Sequence, residues 1–312
     1  MKLSGAITRY VEMKRILGVS FRFGAGVLRA FSRQIGDVSV GSVAKWQVLS
    51  FLDSQKTSNV TWLVKYRILK AFFEYWMARN EVSDSPMPRS RVVTSTRRFA
   101  PCIYSVSELR KLLRCTYLRR KASCREFDSD TLRTVLLFLY GTGARPNEAL
   151  AMTQANVDLT AGTVTLHRPN TDITRTVPIG PSLLDTLRVY FKFTFQGRCK
   201  TQNFFVRKDG RPISPQLLSR AFHILCRKAG ISRRDGISSQ PRMIDLRHTF
   251  AVHCLNAWLK EGRDLRSMLP ILGAYLGHAR LNSSEAYLSV TPGRFWKQLS
   301  RLTRRTLSAS SL

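Results

Sequence analysis

Two arginines stand far apart in the chain in short, polar-ended motifs: Arg145 in GTGARPNEAL (141–150) and Arg247 in IDLRHTFAVH (244–253). A third segment, YLGHARLNSSEAYL (275–288), places His278 nine residues before Tyr287, and a fourth, HRPNTDITRTVPIG (167–180), runs between two strand candidates. These residue types suit chemistry at phosphorus. Breaking a phosphodiester without a metal needs a nucleophile, a cation to neutralise the crowded phosphorane, and an acid for the departing oxygen. Arginine suits the middle task, because its planar fork donates paired, charge-assisted hydrogen bonds to two oxygens and stays protonated at any working pH. A tyrosine hydroxyl, with a reference pKa near 10, attacks only with a base or a positive field beside it. Taken singly, each residue has an ordinary reading: arginine as a solvated charge, tyrosine or histidine as a core or surface residue.

The composition points to a polyanionic partner. The chain has 312 residues, 44% of them hydrophobic, enough to bury real cores and to suggest two domains. Lys and Arg number 51 against 20 for Asp and Glu, a net charge of +31. That imbalance costs self-repulsion unless something such as nucleic acid relieves it. A membrane surface competes, but no apolar run reaches the roughly 18 residues of a span. Arg9, Glu12, Lys14 and Arg15 interrupt the N-terminal segment, unlike a signal peptide, so a cytoplasmic, nucleoid-associated protein is expected. Six cysteines without a C-x-x-C pair or zinc-finger spacing indicate neither a metal site nor a disulfide framework.

The elements that must position these residues fall into two groups. Residues 1–83 read as all-helical, with helices at Ser4–Leu17, Phe21–Ile35, Val43–Leu52 and Val60–Met77. In the last, the i, i+3, i+4 spacing predicts a packed row through Val60, Leu63, Val64, Ile68, Ala71, Phe72, Tyr75 and Trp76, leaving Lys65 and Lys70 on other, basic faces. Residues 84–103 mix Pro, Ser and Arg without an apolar period and read as a basic linker. Its Arg89, Arg91, Arg97 and Arg98 suit either a phosphate backbone or plain solvation. From residue 104 to 312 the pattern is mixed. Ser105-x-x-Glu108, or Ser107 further in, signals a capping box, Leu132–Tyr140 a buried helix, and Thr163–His167 with Thr176–Ile179 a hairpin about the polar turn PNTDI (169–173). Helices are expected at Ser182–Phe195, Pro215–Ala229, Asp245–Trp258 and Pro292–Leu302. The fold class is mainly α with a small antiparallel sheet (α+β).

In their order and spacing the motifs resemble the tyrosine recombinase, or phage-integrase-like, family. The likeness rests on Gly143, Arg145 and Glu148; on Leu246–Ala251; and on Leu276-Gly277-His278 followed by Tyr287. The likeness is nearest to site-specific recombinases of bacterial mobile elements. It implies an N-terminal core-binding domain and a catalytic domain that close on duplex DNA, with homo- or hetero-multimers forming through C-terminal segments in a synapse. It further implies Tyr287 as the nucleophile of a 3′-phosphotyrosyl intermediate and Arg145 and Arg247 as phosphate ligands. His278 would bond the scissile phosphate, His248 would orient or assist, and Glu148 would buttress Arg145 from the same helix face. The covalent link conserves the phosphodiester energy, so no cofactor or metal is required. Lys65, Lys70, Arg97, Arg98, Arg168 and Arg175 are the expected DNA contacts.

Two positions depart from the family pattern. A lysine general acid is usual eight residues before the V-P proline, where this chain has Asn170, with Arg168 nearby. Histidine or lysine is usual three residues before Arg247, where Ile244 offers neither donor nor acceptor. A slow strand transferase and a catalytically impaired DNA-binding or scaffold homologue that assists a fuller enzyme both fit. RNA binding lacks a ribonucleoprotein aromatic motif.

Overall fold

The computed structural model describes residues 1–19, 21–53, 59–91, 101–117, 128–168, 174–195, 202–233 and 240–277. The chain divides into two compact units, Met1–Phe99 with Asn170–Asp172 and Ala100–Pro169 with Ile173–Leu312.

The first unit holds α1 (Leu3–Ile16), α2 (Arg22–Ile35), α3 (Lys45–Asp53) and α4 (Asn59–Met77). The packed face of α4 differs from the one its spacing predicts. The buried row runs through Trp62, Tyr66, Leu69, Phe72, Phe73 and Trp76, while Val60 is 54% exposed. Apolar residues occur around most of this helix, and the rings decide which side is buried, because each removes far more area from water than a valine. Tyr10 of α1 meets Phe72 and Tyr75 edge to face at 5.4 and 5.0 Å. Asp53, at the end of α3, accepts from Trp62 Nε1 at 2.8 Å and from Arg91 Nη2 at 2.8 Å. Pro88 accepts from the Tyr66 hydroxyl, so the first residues of the expected linker lie against this unit.

The second unit is built on α6 (Ser129–Thr142), whose Leu132, Val135, Leu136, Phe138 and Leu139 are all buried. Against it pack α5 (Val106–Tyr117), α8 (Pro181–Phe195) and α10 (Asp245–Lys260). The capping box of α5 forms as its spacing predicts. The Ser105 amide donates to Glu108 Oε2 at 2.7 Å, and the Glu108 amide donates to Ser105 Oγ at 3.2 Å. The helix on which Glu148 is expected is α7 (Pro146–Ala151), only six residues long and with Arg145 at its N-cap, whereas α11 (Leu265–Leu276), which carries Pro270, escapes the sequence patterns. The proline removes one rung near the helix start, but burial of Leu265, Leu272 and Leu276 against Ala251, Val252 and Leu255 holds α11 in place. The remaining helix, α9, spans Pro215–Lys228. The helix expected over Pro292–Leu302 lies outside the described residues.

The sheet is antiparallel in the order β1 (Val157–Asp158), β2 (Thr163–His167), β3 (Thr174–Pro178). Register pairs Val164 with Val177 and Leu166 with Arg175. Side chains alternate across a strand, so Arg175 shares the inward face with Val177, Val164 and Leu166. Among the described residues no helix is long and apolar enough to cross a membrane.

Candidate active site

Arg145 sits at the N-cap of α7, where the chain turns out of α6 through Gly143 and into Pro146, the first helical residue. Glu148, three residues on, reaches back to this turn. Its Oε2 accepts the Arg145 backbone N–H at 2.9 Å and its Oε1 accepts Arg145 Nη1 at 2.8 Å. The Glu148 side chain is fully buried, whereas that of Arg145 is 27% exposed. Nε and Nη2 of Arg145 have no hydrogen-bond partner among the described residues.

A lone buried carboxylate is costly, and Glu148 is not alone. From β3, Arg175 donates Nη2 to Oε2 at 2.8 Å and Nη1 to Oε1 at 3.1 Å, a fork-to-fork pair, while its Nε donates to the Tyr275 carbonyl at 2.9 Å. Burial pushes the Glu148 carboxyl up. The Arg175 fork, the Arg145 backbone N–H and the Arg175 charge outweigh it and hold the pKa down to about 2.

Arg247 lies in the first turn of α10 and is 2% exposed. Its Nη1 donates to the Gly143 carbonyl at 2.7 Å and its Nη2 to the Leu276 carbonyl at 2.5 Å. Both acceptors belong to helix C-termini, where the macrodipole favours a cation. The two motif glycines explain the close approach. Gly143 and Gly277 are left-handed, with φ of +60° and +65°. A Cβ on Gly143 would come within 2.7 Å of Leu276 Cδ2 and of Phe250 Cδ1, and one on Gly277 within 3.0 Å of Arg175 Nη1. The segments bearing Arg145, Arg175, Arg247 and the approach to residue 278 are thus tied into one cluster.

His248 follows Arg247. Burial lowers its pKa to about 4, Asp245 opposes that shift, and Arg242 and Arg247 add to it, so the ring is neutral at ordinary pH. Ile244 stands at the N-cap of α10, and its carbonyl accepts from the Arg247 N–H. Asp245 is fully buried and accepts from the Arg242 N–H at 2.9 Å and from Arg242 Nη2 at 3.2 Å. The signal for Asp245 in the sequence is an acid in the first turn of a helix.

Of the other expected residues, Arg168 is half-buried at the end of β2. Lys65 and Lys70 are on α4 of the other unit. Lys65 lies 5.0 Å over the Phe51 ring and Lys70 pairs with Glu74 at 3.6 Å. Asn170, Arg97, Arg98, His278 and Tyr287 lie outside the described residues. Among the described residues no three His, Cys, Asp or Glu side chains gather as a metal site.

Comparison with known proteins gives this cluster a family. The description "Phage integrase family" matches residues 119–294, more than half of the chain. The tyrosine recombinase XerC of Chlorobaculum tepidum is 30% identical over 248 residues, covering 74% of this chain and 69% of the relative. The chain belongs to the phage integrase family. Another relative of this integrase is the tyrosine recombinase XerA of Thermococcus kodakarensis, 26% identical over 282 residues, 90% of this chain and 88% of that one. In fold it is similar to a lambda integrase fragment crystallised as a dimer on a COC′ core site, with a TM-score of 0.60 and 16% identity over 90% of this chain and 96% of that one. The matched segment holds every residue of the cluster together with His278 and Tyr287.

Proposed function

We propose that this integrase is a site-specific DNA recombinase in which Tyr287 cleaves a strand and Arg145 and Arg247 bind the scissile phosphate. The Tyr287 hydroxyl oxygen attacks phosphorus, the bond from phosphorus to the 5′ oxygen breaks, and that oxygen leaves as a hydroxyl after taking a proton. A 3′-phosphotyrosyl link remains, and a 5′ hydroxyl from another strand reverses the step. The observation that carries this reading is the posture of Arg145. One end of its fork is held by a buried carboxylate, and the donors Nε and Nη2 remain for a pair of phosphate oxygens. Arg247, tied to the carbonyl two residues before Arg145, adds a second positive charge beside the same segment.

Duplex DNA is the partner that the net charge of +31 and the DNA-bound lambda integrase relative both suit. Assembly as a multimer follows the same reading. His278 bonds the phosphate and His248, neutral at working pH, orients its neighbours. With Asn170 and Ile244 in place of the usual proton donors, cleavage is slowed by about 10²- to 10⁴-fold, the worth of a general acid.

A nicked suicide substrate tests this. Wild type is expected to form a covalent protein–DNA adduct, and Tyr287→Phe to bind the same duplex without forming one. Saturated binding with no adduct from wild type would sink the reading.

A further inference from the structure

We propose that Arg175 is a positioning residue for strand cleavage: its guanidinium holds the Glu148 carboxylate and the Tyr275 carbonyl, and through them fixes Arg145 and the end of α11. The proposal rests on the reading that Arg145 grips the scissile phosphate. It differs from the expectation that Arg175, as one of the chain's many basic residues, touches DNA itself.

Three observations carry it. The first is register: Arg175 stands opposite Leu166 on the core face of the sheet, a place where a charge persists only if an opposite charge is buried beside it. The second is saturation. All three nitrogen positions of the fork are engaged, Nη1 and Nη2 by the two Glu148 oxygens and Nε by the Tyr275 carbonyl, and the side chain is 9% exposed. A phosphate would have to displace a buried carboxylate to reach it. The third is packing. At Gly277, the residue before His278, a Cβ would lie 3.0 Å from Arg175 Nη1, so a side chain there would press on the fork. One side chain from β3 therefore sets both the Glu148–Arg145 pair and the point at which the chain leaves α11.

The division of labour between the two arginines follows from their count. With Arg175 absent, Glu148 would have only Arg145 to neutralise it, and the Arg145 fork would turn inward. With Arg175 present, the carboxylate is satisfied by one full fork, and Arg145 needs to give it only Nη1 and its backbone N–H. The net +1 of the trio then resides at Arg145, the member with 27% exposure. Misplacing a phosphate ligand by about an ångström is enough to cost on the order of 10²-fold in rate.

The test uses full-length protein on the nicked suicide substrate, measuring duplex affinity and the first-order rate of adduct formation at saturating DNA. Arg175→Ala is expected to lower the rate about 10²-fold with duplex affinity within about threefold of wild type, and Arg175→Lys to recover part of the loss. The rate of Arg175→Ala is also expected to fall on the acid side, where wild type is flat, because Glu148 loses its strongest partner. Adding Glu148→Gln should abolish that acid limb. A purely structural role would lower the melting midpoint without creating a limb that depends on Glu148. If Arg175→Ala does not fold, Arg175→Gln and Arg175→Lys carry the same comparison. Weaker DNA binding with an unchanged saturated rate would show a DNA contact and overturn the proposal, as would equal rates for Arg175→Ala and wild type. No adduct from wild type would instead remove the reading on which the proposal stands.

Discussion

The Arg247 guanidinium donates to the Gly143 carbonyl at 2.7 Å, joining the first turn of α10 to the left-handed turn that delivers Arg145. The same fork donates to the Leu276 carbonyl, so one buried side chain closes the C-terminal ends of α6 and α11. Arg247 is thereby a structural strap as well as a proposed phosphate ligand, and the two roles share one planar group.

Arg247→Lys is accordingly expected to fail twice. An ammonium on a flexible stem cannot reproduce the fork across two carbonyls, and a buried carbonyl left unpaired costs about 1–3 kcal/mol. The melting midpoint should fall by several degrees and adduct formation should be lost, both read from the same preparation. Unchanged stability would show that the two carbonyl bonds are dispensable.

Gly143→Ala is predicted to be more damaging than its single methyl suggests. A left-handed φ costs an alanine roughly 1–2 kcal/mol, and the new Cβ would lie 2.7 Å from Leu276 Cδ2 and from Phe250 Cδ1, adding about 1–3 kcal/mol of overpacking. Urea unfolding of the variant should show a midpoint loss with an unchanged slope. Gly26→Ala, at a helical position where a Cβ meets nothing within 4 Å, is the control and should raise the midpoint slightly, since alanine is favoured over glycine in a helix interior by about 0.5–1 kcal/mol.

How much of this was legible beforehand depends on what carried the signal. The motifs around Arg145 and Arg247 and the capping box at Ser105 were readable because short local spacing sets them. The Glu148–Arg175 pair was not readable as a pair, because 27 residues separate the partners. A trace was nonetheless present: Arg175 and Val177 are two apart in an alternating strand, so an arginine in phase with core residues implies a buried acid. Starting the strand at Thr176 hides that phase, since Arg175 then falls just outside it. The face of α4 was misread for a different reason, its apolar residues occurring on several sides with only ring size choosing among them. Helix α11 was missed because Pro270 and Gly273 are local signals against a helix, and tertiary burial overrides them.

The buried carboxylate predicts a pH dependence of stability. Glu148 has its pKa lowered from 4.5 to about 2 in the folded chain. A depressed carboxylate contributes stability that is fully present above about pH 4.5 and lost as pH falls toward 2. Its full worth is on the order of 3 kcal/mol. His248, lowered from 6.5 to about 4, acts in a higher window. Folding disfavours its cation, so that contribution is complete above pH 6.5 and declines as pH falls toward 4. Chemical unfolding from pH 7 to pH 3 should therefore show stability falling in two stages. Glu148→Gln should flatten the lower stage, and His248→Asn the upper. A wild type with constant stability between pH 6.5 and 4 would contradict the burial of His248.

Salt dependence separates the proposed DNA contacts from the internal arginines. Each phosphate neutralised adds about −0.9 to the slope of log affinity against log salt. Lys70→Ala and Arg168→Ala should each reduce the slope by about one. Arg175→Ala should leave it alone, because that guanidinium is engaged within the protein. Slopes unchanged in the first two variants would move the DNA footprint elsewhere on this basic surface.

Two positions are proposed to lack the donors usual in the family. Ile244 is half-exposed at the start of α10, and its backbone carbonyl accepts from the Arg247 N–H. Replacing its side chain therefore leaves that bond in place while adding an imidazole one helical turn from Arg247. Asn170 falls in sequence between β2 and β3, outside the described residues. On that proposal the double change Asn170→Lys with Ile244→His would restore donors of the usual kinds, and a general acid is worth about 10²- to 10⁴-fold. On the suicide substrate the double variant should form adduct at least about tenfold faster than wild type, with the gain abolished by Tyr287→Phe. A rate equal to wild type would mean that another group in this chain already protonates the leaving 5′ oxygen.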